Sequence, residues 1–85
     1  MRDELLKARG RLAEDRRRRG ELSLEGKGLV ILLREALDPF EPDLARLRIP
    51  EAGANMKRLV AIHAELRELD TRIDELADAL GHADG

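Results

Sequence analysis

The chain has 85 residues, with 16 Lys and Arg against 18 Asp and Glu, so it fits one small domain, 1–85, of formal charge −2. It has no cysteine, which excludes disulfides and Cys-built zinc sites, and Phe40 is its one aromatic residue, which excludes an aromatic stacking surface for single-stranded nucleic acid. At 42% hydrophobic and 40% charged, the mixture is too apolar for a disordered chain and too charged for a membrane span.

Leu dominates the apolar residues, with Ala, Glu and Arg abundant beside it, and Thr and Val are scarce. These residues lose little rotamer freedom in a helix, so the expected class is all-α. Chain order gives a first arm over 2–37. Met1, Leu5, Ala8 and Leu12 follow helical spacing, and the same frame passes through Asp15 and Arg19 before recovering at Leu22, Gly26, Leu29, Leu33 and Ala36. The middle of this arm is polar on the face that should be buried. Gly10, Gly20, Gly26 and Gly28 each weaken a helix by about 1 kcal/mol relative to Ala. A break near Gly20 with Ser23 as N-cap is the alternative. A continuous helix is preferred because no Pro intervenes and Glu14 and Asp15 stand four residues before Arg18 and Arg19.

The turn is expected over 38–50, since Pro39, Pro42 and Pro50 fall in one short window and Pro breaks a helix interior. Asp38-Pro39-Phe40-Glu41 reads as a helix start, with Asp as N-cap, Pro at the first helical position and Glu at the third. A short third helix within 39–48 is expected to pack Phe40, Leu44, Leu47 and Ile49 back on the arms. Pro50-Glu51 opens the second arm, 51–81. There Leu59, Ile62, Leu66, Leu69, Ile73, Leu76 and Leu80 alternate spacings of three and four, an unbroken heptad seam that extends back to Asn55 and Ala52. Gly81 stands where a helix C-cap is expected, leaving 82–85 as a tail.

Charge is unevenly spread. Residues 1–20 carry eight basic and four acidic groups, and residues 65–84 two basic and seven acidic. An antiparallel alignment would lay Arg16 to Arg19 beside Glu68 and Asp70. The cluster Lys7, Arg9, Arg11, Arg16, Arg17, Arg18 and Arg19 is the candidate for partner or nucleic-acid contact, because cations on one helix can neutralise phosphates. Its plainer reading is a solvated face neutralised by neighbouring acids, and the net negative charge favours that.

No catalytic, cofactor or metal site is expected. Gly20 and Gly26 enclose five residues rather than the four of a phosphate loop, and Gly28 stands where the hydroxyl residue should follow Lys27. His63 lies beside the seam with Arg67 four residues on, so no second ligand shares its face. Asp70, Asp74 and Asp78 form a row of like charges that calls for facing cations. The apolar run Leu29-Val30-Ile31-Leu32-Leu33 is far shorter than the ~20 residues of a membrane span, and no leader pattern opens the chain, so a cytoplasmic location without membrane contact is expected.

The expected architecture is an antiparallel helical hairpin, coiled-coil-like, with a proline-rich turn. The run 29–33 goes right round a helix, so the turn end should bury more than one face. That predicts a homodimer, two hairpins joining as a four-helix bundle. The residues expected to form its core or oligomer seam are Leu29, Val30, Leu33, Leu37, Phe40, Met56, Leu59, Ile62, Leu66, Leu69, Ile73, Leu76 and Leu80. The function expected is non-enzymatic: a protein–protein interaction or scaffold module, with a nucleic-acid-associated accessory protein as the alternative.

Overall fold

The computed structural model describes residues 2–84, and the side chains of 2–81. Two long helices account for nearly all of it: α1, Arg2–Ala36, and α2, Ile49–Asp84. A single 3-10 turn, Leu44–Arg46, lies in the connection, and no strand occurs among the described residues. The first-turn acids Asp3 and Glu4 of α1, its last-turn Arg34, and Glu51 in the first turn of α2 all complement the helix dipoles. The helix α1 runs unbroken through its four glycines.

The helices lie antiparallel. Cross-helix pairs run in opposite numerical order, from Asp15 with Arg72 through Arg18 with Glu65 to Glu25 with Arg58. A backbone bond from Arg48 N to Ala36 O, 3.2 Å, ties the end of α1 to the start of α2. The result is a rod of 63 × 17 × 15 Å with a radius of gyration of 18.9 Å, against about 12 Å for a compact chain of this length.

The heptad frame describes the contact face. Leu22, Ile62 and Leu69 form the buried cluster, with Leu29, Leu66 and Ile73 packed on it. Leu12, Ala36, Ala52 and Leu80 are also buried, while Leu33, Leu59 and Leu76 are half-buried. Gly26 is buried between Ile62 and Leu59. A Cβ there would stand 3.5 Å from Ile62 Cγ2, an ordinary contact, so the helices would tolerate Ala at this point.

Several expectations are corrected. Asp38 does not cap a helix. Its carboxylate accepts from Phe40 N at 2.9 Å and its carbonyl from Glu41 N at 3.2 Å, a tight turn with Pro39 at its second position. Pro42 disfavours helical backbone at Glu41, which stops a helix from starting there. The helical turn starts later, where the Asp43 carboxylate accepts from Ala45 N at 3.0 Å.

Phe40, Leu44 and Ile49 do not pack back on the arms. Phe40 is 89% exposed, and the other two are largely exposed, because one turn of 3-10 helix is too short to fold over the rod. Of this group only Leu47 is half-buried. Pro50 belongs to α2, in the first turn, where its missing N–H would have no helical partner. Gly81 does not cap α2, which continues to Asp84, and no described glycine has a positive φ. The seam position Met1 and the side chain of His82 lie outside the described residues.

Candidate interaction surface

The two edges of the helix pair differ. Arg58, Glu65 and Arg72 recur every seven residues along one edge of α2 and meet Glu25, Arg18 and Asp15 of α1. Glu25 accepts from Arg58 Nε at 2.7 Å and from Arg58 Nη2 at 2.9 Å, a bidentate pair. Arg18 Nε donates to Glu65 Oε2 at 2.8 Å. Asp15 is buried in the seam and accepts from Arg72 Nε at 3.2 Å and again from Arg72 Nη2. These contacts seal that edge with alternating charge.

Arg19, expected on the buried face, is exposed and swings out to Asp70, Nε to Oδ1 at 2.5 Å. Hydrogen bonds from Arg58, Arg18 and Arg19 hold the carboxyls of Glu25, Glu65 and Asp70 below their ordinary values.

The candidate basic cluster is thus divided. Arg18 and Arg19 are engaged across the helix pair, and Arg17 lies 4.0 Å from Glu21 on its own helix. Lys7, Arg9, Arg11 and Arg16 are exposed along α1. Lys7, Arg11 and Arg16 make no ion pair among the described residues.

The other edge carries no such pairs near the connection. Ser23, Lys27 and Val30 of α1 face Met56, Val60 and His63 of α2 across a shallow apolar groove, and Gly26, Leu59 and Ile62 line it too. A second hollow shares Val30 and Leu59 with the first and continues past Leu33 and Leu37 to Phe40. Of the expected seam, Val30, Leu37, Phe40 and Met56 are therefore surface residues of the single chain.

Among the described residues no group of three or more His, Cys, Asp or Glu side chains could hold a metal ion. No described helix is long and apolar enough to cross a membrane. The pairing of Glu25 with Arg58, and of Asp15 with Arg72, escaped the sequence reading. Its signal was present: charges at seven-residue intervals beside the seam, and one acid within it.

Comparison with family models, with curated proteins and with solved structures finds no match to this chain.

Proposed function

We propose that this chain is a non-enzymatic helical module for protein–protein interaction or scaffolding, and that it self-associates. In this reading it is a coiled-coil-like hairpin turned by its proline-rich connection, and two hairpins combine as a four-helix bundle. One observation carries the reading: the continuous apolar surface around the connection end of the rod. It runs from Val60 and Met56 over Val30 and Leu37 to Phe40, all substantially exposed. Large contiguous apolar patches on small proteins mark interaction sites.

The surface area supports the same reading. The chain exposes 6837 Å², whereas a compact monomer of 9.6 kDa exposes about 5,100 Å². A standard interface covers about 800 Å² of each partner, well within that surplus. Sedimentation equilibrium tests the proposal. A dimer or larger species is expected at about 50 μM, and a monomer at that concentration would overturn it.

The exposed Lys7, Arg11 and Arg16, without ion partners among the described residues, favour a second reading: contact with nucleic acid through α1. It requires a complex that persists at about 150 mM salt and is lost when Arg16 to Arg19 are all replaced by Gln in a chain that stays helical.

A further inference from the structure

We infer that the occupant of the apolar groove is a second copy of this chain, docked edge to edge through the same groove, with the edge of Arg58, Glu65 and Arg72 left outside. This rests on the self-association proposed above and says which surface performs it.

The two edges are not equivalent choices. At the edge of Arg18, Glu65, Glu25 and Arg58, a partner helix would have to break the pairs or bury them, and a buried pair barely offsets its desolvation. At the opposite edge a partner meets Val30, Met56 and Val60, which are 43%, 49% and 57% exposed, with Lys27 the one charged side chain of the lining and no ion pair between lining residues to break.

Area points to a second copy as the occupant. The groove continues into the hollow of Leu33, Leu37 and Phe40, and the chain exposes 6837 Å² where a compact monomer of its mass exposes about 5,100 Å², a surplus that covers one partner's share of a standard dimer interface. A two-fold axis lets this one patch meet itself, as an isologous interface requires.

The chain contains no cysteine, so a single introduced cysteine can only crosslink between chains. Met56→Cys, in the groove, should give covalent dimers in high yield with a short bis-maleimide. Leu24→Cys, exposed and outside the groove linings, should not. In parallel, Val60→Lys should raise the dimer dissociation constant at least about 100-fold by sedimentation, since it buries a second cation in a groove whose lining holds Lys27 and no acid, while Leu24→Lys leaves it unchanged. Should Val60→Lys fail to fold, the cysteine pair still decides the question. A dimeric wild type that crosslinks through position 24 and not 56 would overturn the groove as the docking face and leave self-association standing. A wild type that stays monomeric at about 50 μM would overturn both.

Discussion

Asp15 occupies a seam position where a coiled coil ordinarily carries an apolar residue, and it is buried there against Arg72. Arg72 itself remains largely exposed, so water solvates it whether or not the acid is present. The pair therefore contributes little net stability for the desolvation that Asp15 suffers. Asp15→Leu would join Leu12 and Leu22 in one apolar stripe, and we expect it to stabilise the fold by about 1 kcal/mol, read as a higher urea midpoint at unchanged slope. A lower midpoint would show that the ion pair is a true anchor. Ile62 presents the opposite case. It is 1% exposed in a very small buried cluster, so Ile62→Ala should cost about 2–5 kcal/mol, whereas His63→Ala, one residue on and exposed, should cost under about 0.5 kcal/mol in the same urea titration.

Between the helices, acid is the sharpest probe of the charged edge. Glu25, Glu65 and Asp70 have folded values depressed by arginine hydrogen bonds, below ordinary values of 4.5 for Glu and 3.8 for Asp. Carboxyls depressed in the folded state add stability that is complete above their unfolded values and is lost as pH falls through the folded ones. Helicity should thus hold from neutral pH down to about 5 and weaken progressively below it, and Glu65→Gln should flatten that decline in a circular dichroism titration. Because the pairs are exposed, added salt should also shrink the effect. An acid profile unchanged by Glu65→Gln would show that these pairs hold nothing.

The element boundaries show what periodicity reveals and what it hides. Seven residues of strict three–four spacing, Leu59 to Leu80, placed α2 without ambiguity, and α1 kept one frame across Asp15 and Arg19 because both acquire partners on α2. Asp38-Pro39 misled because a helix cap and a tight turn use the same residues, and only the backbone bonds distinguish them. Gly81 misled for a similar reason: glycine permits a left-handed cap but does not enforce one. Of the candidate surface, the basic residues were legible as a cluster. Which of them are engaged was not, because that depends on a helix register set by contacts about fifty residues apart in sequence.

At the scale of the molecule, antiparallel pairing within one chain fixes which distant residues meet. Cysteines in place of Arg18 and Glu65 should be bridged within one chain by a short bis-maleimide in dilute solution, since the two positions face each other across the helix pair. Crosslinks formed only between chains would instead indicate that the helices have been exchanged between copies. The surplus surface belongs at this scale too, because a rod 63 Å long and one helix pair thick cannot enclose its own apolar residues.

The bond from Arg48 N to Ala36 O holds the two helices together at one end of that rod, and a long antiparallel pair then brings residues 2 and 84 to the other. Residues 2 and 84 thereby share one end of the rod, about 50 Å of helix away from the connection. A fluorescent domain or an affinity handle fused at either end would stand clear of Val60 and Phe40. Two dyes on one chain, one near each end, diluted into unlabelled protein, would report on helix exchange through energy transfer, strong in an intact hairpin and lost once helices trade places.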